Sequence, residues 1–518
     1  MVNTFLKILS VLVSFCTLSS IKLEASNESL NLFYKCYGHI TGLRPKNDHP
    51  LLLSVQSGTK SAVDACIETF ENATLNTSTG ITIAETEGNP DRTLEAYSIL
   101  RNFQAFHRTW FKKDDFRSSL GTDFVTHDID IHDPSEAANH VSWILFSENE
   151  PYRNLLRGIR SIRAIREMTP EDKGPSTNVP RFHLRHDFLN PVEPCPPGLN
   201  HHRSSPFGDA TNDPRCGSAW NPSFLEVGQL RGLRPLSESE MALRVVAAVN
   251  LDNFSETVTM EYLKPKGAGV LGTFSFNMLN SGMGTHVSNG GDRVPRRLLN
   301  VALEEFLCRT TPVLQSMDVI STLRPSGTHP WQNNSTCMAC HATIDAGAGV
   351  FRNLSLVSTA GWIFSDRDGN LRDVMHLRTH PTVNSPTNNH VPAPFLPPEA
   401  DIFGISSDSN FYKRPPNGKL MMRDFKGELI NQNVLGIDQL GEALSNVDDF
   451  YLCAASRYYG FFTGFTPPLL DVPTASEQEA RARQEMIQLG LNLKQTQSLK
   501  ELIRGILQSN FYQYGVQQ

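Results

Sequence analysis

Apolar positions recur along much of this chain at the three- and four-residue spacing of helices, and only short stretches alternate as strands do. The segment Val294–Cys308 is a clear case, because Pro295 fits the first turn of a helix. Its predicted buried face comprises Leu298, Leu299, Ala302, Phe306 and Leu307. The last predicted helix opens with Ser498 and Glu501, spaced as a capping box, and buries Leu502, Ile503, Ile506 and Leu507.

The same pattern predicts helices elsewhere, separated by long irregular connections. The other helical segments are residues 29–74 around Cys36 and Cys66, Arg92–Trp110, a helix from Ser237, and parts of Leu435–Phe462. Ser237 and Glu240 form a second capping box ahead of an apolar stripe of Ala242, Val245, Val246 and Val249. Residues 120–235 and 379–402 are predicted to be loop-rich, and Lys419–Arg423 a short strand. The fold class is therefore mainly α with long irregular loops.

The first 25 residues have the pattern of a secretory signal peptide. Lys7 precedes the apolar stretch Ile8–Leu18, and Ala25 supplies a small residue for cleavage. A stretch of eleven residues is too short to cross a bilayer, although a buried helix or an uncleaved anchor are alternatives. Bulky Phe15 before Cys16 argues against a lipidated cysteine. We expect a secreted, periplasmic protein in an oxidising space.

Composition narrows the possible partners of the chain. Its 518 residues are 39% hydrophobic and 19% charged, which suits a folded protein with substantial cores. The formal charge is −7 and no basic block occurs, so nucleic acid is an unfavourable partner. No apolar run of 18 or more residues follows residue 25, so we expect no transmembrane span after signal removal.

One motif carries specific chemistry. Cys337, Cys340 and His341 form C-x-x-C-H, the attachment signature of c-type haem. The composition of the chain predicts only about 0.005 chance occurrences. Two thiols three residues apart lie on one side of a helix, where each can form a thioether to a haem vinyl group. His341 then serves as the proximal iron ligand, which predicts one covalent haem c per chain.

The motif has three other possible interpretations. Structural zinc needs two further ligands at matching spacing, and the sequence has no second C-x-x-C. A thioredoxin-like dithiol follows a strand, whereas residues 326–334 have the composition of a loop. A disulfide across two intervening residues would be strained.

Six cysteines, an even number, remain once the signal peptide and the motif are set aside. Nearest-neighbour pairing predicts the disulfides Cys36–Cys66, Cys195–Cys216 and Cys308–Cys453. Six cysteines allow 15 connectivities, so other pairings stay open.

Residues 235–518 resemble a group of large secreted monohaem cytochrome c-like proteins of Gram-negative bacteria, a domain-of-unknown-function group. The resembling segments are Gly269–Thr273, Arg296–Cys308, Cys337–His341 with Ile344, Asp345 and Gly347, Leu440–Leu444, Phe450, Cys453, Tyr458–Gly464 and Leu499–Phe511. The resemblance implies a cytochrome c-like, haem-binding region at 235–518 in a periplasmic protein, within a larger helical, disulfide-stapled chain. It leaves 26–234 as an N-terminal helical and loop-rich region of unknown role, and implies no particular reaction.

The sixth iron ligand separates an electron carrier from a catalyst. Methionine in that position raises the reduction potential, and the downstream candidates are Met375, Met421, Met422 and Met486. Neighbours on a strand face opposite sides, and of the pair Met421 and Met422 we favour Met422. Met375 comes second, and His376, His380 or His390 could serve instead.

We therefore expect a periplasmic monohaem cytochrome that exchanges electrons with a protein partner, whose basic surface would complement the acidic chain. No catalytic residue is assigned. The alternatives are a haem oxidoreductase with an open distal site and a structural or binding protein stapled by haem. Weaker patterns suggest divalent-metal sites at 127–133 and at His183, His186, His201 and His202.

Overall fold

A computed structural model gives the fold of the chain. It describes residues 27–111, 135–167, 229–236, 244–248, 257–261, 268–273, 276, 280, 294–327, 330–353, 355–365, 371–378, 390–392, 416–473 and 475–515. The prediction of a mainly helical protein is confirmed within these ranges. The α-helices are α1 (Asn27–Thr41), α2 (Pro50–Gln56), α3 (Ala62–Glu71), α4 (Ile83–Thr86), α5 (Pro90–Arg108), α6 (Glu136–Phe146), α7 (Asn154–Arg157), α8 (Val294–Leu307), α9 (Ser335–Ala348), α10 (Gly436–Asn446), α11 (Asp448–Thr463), α12 (Glu477–Thr496), α13 (Leu499–Gln508) and α14 (Asn510–Tyr514).

Strands form small antiparallel sheets between the helices. The strands are β1 (Ile162–Glu167), β2 (Gln229–Pro235), β3 (Arg244–Ala248), β4 (Thr257–Glu261), β5 (Ser355–Ser365), β6 (Leu371–Arg378), β7 (His390–Pro392), β8 (Asn417–Arg423) and β9 (Leu429–Leu435). β1 pairs with β2, β3 with β4, β5 with both β6 and β7, and β8 with β9. Short 3₁₀ helices cover Gly269–Gly272, Ser316–Thr322, Pro330–Asn333 and Gly349–Asn353.

Local sequence signals fix several helix starts. The Asn89 side chain accepts a hydrogen bond from the Arg92 N–H, and Pro90 opens α5, a combination that satisfies an otherwise unpaired donor. The Ser498 hydroxyl likewise accepts from the Glu501 N–H at the start of α13. All four predicted apolar residues of α13 are buried, and so is the predicted face of α8. The helices predicted at these places are confirmed.

One expectation about the middle of the chain is wrong, and another is incomplete. The helix predicted from Ser237 is absent over the described residues Arg244–Ala248, which form β3 paired with β4. Consecutive Val245 and Val246 explain this, because β-branched side chains favour extended backbone. The loop-rich region 120–235 also contains α6, whose residues are buried throughout.

One hydrophobic core runs from the first helix to the last. It includes Phe33 of α1 and Tyr512 of α14, both fully buried. The Tyr152 ring stacks on Phe450 at a centroid distance of 4.6 Å, and the Tyr458 hydroxyl lies 2.6 Å from Nε2 of buried His107. The core thus spans the sequence boundary between residues 234 and 235, so the two sequence regions pack together.

Two of the predicted disulfides are confirmed. Cys36 and Cys66 join α1 to α3, with a Cα separation of 6.2 Å. Cys308 and Cys453 join the end of α8 to α11, with a Cα separation of 5.3 Å. Cys195 and Cys216 lie outside the described residues.

The described helices include none with the length and apolarity needed to cross a membrane.

The part of the fold that matters most for the C-x-x-C-H motif is the contact of α9 with α8, with strand β8 and with the 3₁₀ helix Ser316–Thr322.

Candidate functional site

The motif lies at the start of a helix. The Asn334 side chain caps α9 by accepting hydrogen bonds from the backbone N–H groups of Thr336, at 2.9 Å, and Cys337, at 3.2 Å. This cap sets the first turn, so that Cys337, Cys340 and His341 follow one another on a single stripe of the helix. The helical spacing assumed from the sequence is therefore present.

The two faces of α9 differ in burial. Met338, Ala339 and Ala342 are buried against the fold. Cys337 and Cys340 are only half-buried, and they are the free cysteines of the described part of the chain. The other four described cysteines are paired in disulfides. Two unpaired thiols, in a chain whose other described cysteines are paired, are what covalent attachment of a ligand requires.

His341 is oriented from two directions. Its Nδ1 lies 3.0 Å from Oδ2 of Asp345, one helical turn further on. The ring stacks on the indole of Trp331, with centroids 4.1 Å apart and an interplanar angle of 12°. A hydrogen bond from Nδ1 to a carboxylate leaves Nε2 as the nitrogen that can bind a metal. This is the usual arrangement of a metal-ligating histidine.

Asp345 is in turn held by a second helix. Its side chain is fully buried, and Oδ1 lies 2.5 Å from Nε of Arg296 on α8. A buried carboxylate without a nearby cation would be costly. The Arg296 contact therefore gives the buried carboxylate a cationic partner, and Arg296, Asp345 and His341 form a continuous polar chain, here called the histidine relay.

A small apolar cluster supports the other side of α9. It contains Leu314, Val319, Met338, Ala339, Ala342 and Met421. The Thr343 hydroxyl donates to the Met421 carbonyl at 2.8 Å, which fixes α9 against β8. Arg423 of β8 donates to both carboxylate oxygens of Asp318, at 2.6 and 2.8 Å. These hydrogen bonds from Arg423 lower the pKa of the Asp318 carboxyl.

The two adjacent methionines of β8 have different surroundings. Met421 pairs with Asn431 of β9 and lies in the small cluster beneath α9. Met422, the favoured distal ligand, pairs with Ile430 and is fully buried in the main core. Met486 is also buried there. Met422 stays a prediction as an iron ligand, and its side chain would have to leave the main core to approach His341.

The other candidates for the distal position lie on strands β6 and β7 or outside the described residues. Met375 and His376 lie on β6, and His390 begins β7. His380 lies outside the described residues, as do the metal patterns at 127–133 and 183–202. Among the described residues, no group of three His, Cys, Asp or Glu side chains is arranged to hold a metal ion.

The Cys340 thiol does not have the lowered pKa of a reactive cysteine. Burial raises the pKa of the Cys340 thiol, and the neighbouring Cys337 adds to the effect. Thiol–disulfide catalysts instead lower the pKa of their attacking cysteine. The environment of Cys340 therefore favours the protonated, unreactive thiol.

Sequence reasoning missed three functional neighbours of His341. Asp345 could have been found, because residues four apart share a helix face. Trp331 and Arg296 could not, because their contacts with the motif depend on how the 3₁₀ helix Pro330–Asn333 and α8 pack on α9.

Comparisons with known proteins add no assignment, since no family model, no curated protein and no solved structure matches this chain.

Proposed function

We propose that this chain is an exported monohaem c-type cytochrome that binds haem covalently at Cys337, Cys340 and His341 and exchanges electrons with a partner protein. One observation carries the proposal: two free thiols share a helix stripe with a histidine whose Nδ1 is already bonded to a buried carboxylate. The resemblance of residues 235–518 to secreted cytochrome c-like proteins agrees with it.

Each residue has a defined part in holding the group. Cys337 and Cys340 would form the two thioether bonds, and the Asn334 cap keeps both thiols on the first turns of α9. Nε2 of His341 would bind the iron, while Asp345 and Trp331 hold the imidazole ring in place. When bound, haem c supplies a one-electron iron couple whose potential the surrounding protein adjusts.

Export and a protein partner belong to the same proposal. The disulfides Cys36–Cys66 and Cys308–Cys453 suit an oxidising compartment such as the periplasm, in keeping with the signal-peptide pattern of residues 1–25. A chain with a formal charge of −7 attracts a redox partner that presents a basic surface.

A specific observation favours a second candidate, a haem oxidoreductase with an open distal site. Met421, Met422 and Met486 are all buried within apolar clusters, so none of these three candidate side chains lies free beside the half-buried stripe of Cys337, Cys340 and His341. An iron with one vacant position would bind carbon monoxide or peroxide, and a high-spin spectrum would favour this candidate over the electron carrier.

The test is to express the full chain in cells that carry a cytochrome c maturation system. We expect a mass gain of one haem and a c-type pyridine haemochrome spectrum. The double variant Cys337→Ala/Cys340→Ala should lose both signals, whereas Thr336→Ala, an exposed neighbour on the same helix, should keep them. A wild-type chain without added mass, or a double variant that retains covalent haem, would contradict the proposal.

A further inference from the structure

We infer, resting on the proposed function, that Asp345 is a positioning residue that makes His341 a strongly electron-donating iron ligand, and that this carboxylate thereby sets the site to a low reduction potential, an effect that the Arg296 cation partly opposes. The relay is the arrangement in which Arg296 holds Asp345 and Asp345 holds His341.

The Asp345 carboxylate is the most deeply buried group of the relay. Its side chain has no solvent exposure, while that of Arg296 is 16% exposed and that of His341 is 26% exposed. The carboxylate is therefore the innermost member of the relay and is shielded from water on every side. A charge in such surroundings acts on its neighbours more strongly than a charge at the surface.

The two carboxylate oxygens of Asp345 have different partners. Oδ1 contacts Arg296 at 2.5 Å, and Oδ2 faces Nδ1 of His341 at 3.0 Å. The ion pair with Arg296 engages Oδ1 and restrains the carboxylate. The oxygen that faces His341 is thus free to accept the Nδ1 proton and draw it from the ring.

The contact with Asp345 affects the strength of the iron ligand. A carboxylate that accepts the second ring N–H of a metal-bound histidine raises the basicity of the other nitrogen. A more basic nitrogen stabilises Fe(III) relative to Fe(II), because the higher charge gains more from a stronger donor. Hydrogen bonding around an axial ligand is one of the means by which a protein adjusts a haem potential.

The orientation of the imidazole ring is also fixed. Trp331 lies nearly parallel to the imidazole at 4.1 Å, so the ring cannot turn about its bond to the helix without losing this stack. The hydrogen bond to Asp345 and the stack on Trp331 fix the same rotamer. The effect of Asp345 is therefore built into the folded chain.

The experiment compares reduction potentials of the haem-loaded chain. Asp345→Asn keeps the size of the side chain and removes its charge, and it should shift the midpoint potential upward. Arg296→Gln leaves the carboxylate and removes its cation, and it should shift the potential downward. In the reduced proteins, resonance Raman spectra should show a weaker iron–histidine bond in Asp345→Asn than in the wild type.

Asp318→Asn is the matched control. Asp318 is also a nearly buried carboxylate held by an arginine beside α9, with a side chain 4% exposed, but it makes no contact with His341 among its described contacts. Its potential should equal that of the wild type. Asp345→Glu, which restores the charge, should return the potential toward the wild-type value.

The outcomes separate this inference from the function on which it rests. If the wild-type chain takes up no haem, the proposed function fails. If haem is attached and neither Asp345→Asn nor Arg296→Gln changes the potential, the relay has only a structural role and the inference is refuted. Should Asp345→Asn not fold, Arg296→Gln is compared with Arg423→Gln, which removes the cation paired with the control residue Asp318. A larger downward shift in Arg296→Gln supports the inference, and equal shifts refute it.

Discussion

His341 shows how a single hydrogen bond selects the chemistry of a side chain. The sequence does not indicate which of its two ring nitrogens would bind a metal. In the structure, the Asp345 carboxylate contacts Nδ1, and helix α9 carries both residues. Nε2 therefore remains available to bind a metal. A buried acid next to a histidine thus distinguishes an organised site from a histidine that merely follows two cysteines.

Replacing His341 by Ala tests this residue directly. The two thiols are unaffected by the substitution, so we expect the mass of covalently bound haem to persist. The visible spectrum should change, because the iron loses its proximal nitrogen. Intact-protein mass spectrometry and absorption spectra of the same sample provide the check. A normal spectrum in His341→Ala would exclude this histidine as the ligand.

A buried ion pair supports the fold at the residue scale. Arg309 contacts Asp449 at 2.6 Å, and both side chains are almost completely buried. Removing one partner of such a pair leaves an uncompensated charge, so Arg309→Met should destabilise the protein by about 3–5 kcal/mol. The exposed pair Arg481 and Glu477 is the control, since Arg481→Met should cost less than about 1 kcal/mol. Urea unfolding at neutral pH measures both.

The stability that the Arg309–Asp449 pair contributes should depend on pH. Burial raises the pKa of Asp449 above its ordinary value, although Arg309 opposes the shift. A raised carboxyl pKa in the folded state contributes stability that is fully present below the unfolded pKa and is lost as the pH rises through the folded pKa. Loss of Arg309 removes the group that opposes this shift, so the cost of Arg309→Met should shrink as the pH falls through the raised pKa of Asp449, above the ordinary carboxyl range. An equal cost at pH 4 and pH 7 would contradict this account.

At the scale of elements, the sequence signals differ in how well they predict. Helices α5, α8 and α13 have one buried and one exposed face, so their apolar spacing is visible. Helix α6 was missed because all eleven of its residues are buried, including Asn139 and His140. A helix without an exposed face has no alternation to detect. The strand at Arg244–Ala248 was missed because a capping-box spacing before it outweighed the β-branched pair Val245 and Val246.

The cap of α9 gives a prediction at this scale. Asn334→Ala removes the acceptor of two backbone N–H groups, and the loss of an N-cap costs about 0.5–2 kcal/mol. We expect a lower unfolding midpoint with haem still attached, because the thiols remain in place. Circular dichroism on heating provides the measurement, with Thr336→Ala as the control on the same exposed turn. An unchanged midpoint would show that the cap does not limit the stability of α9.

For the whole molecule, an even cysteine count and simple proximity in sequence were enough to predict two disulfides correctly. The mainly helical class also followed from apolar spacing. The shared core did not, because contacts such as His107 with Tyr458 join residues 351 positions apart. The sequence carries no local record of such a contact. For the same reason, the C-x-x-C-H motif was visible at once, while Arg296, which lies 49 positions before Asp345 in the chain, was not.

The two disulfides restrain the molecule on different scales. Cys36 and Cys66 are 30 residues apart, and Cys308 and Cys453 are 145 residues apart. A crosslink removes more entropy from the unfolded chain when it closes a longer loop. The double variant Cys308→Ala/Cys453→Ala should therefore lose about 1.4 kcal/mol more stability than Cys36→Ala/Cys66→Ala, from the logarithm of the loop lengths. Urea unfolding of both variants without reductant measures the difference. If the Cys36–Cys66 variant is the less stable of the two, the restraint comes from local packing of α1 on α3, and chain entropy does not set the order.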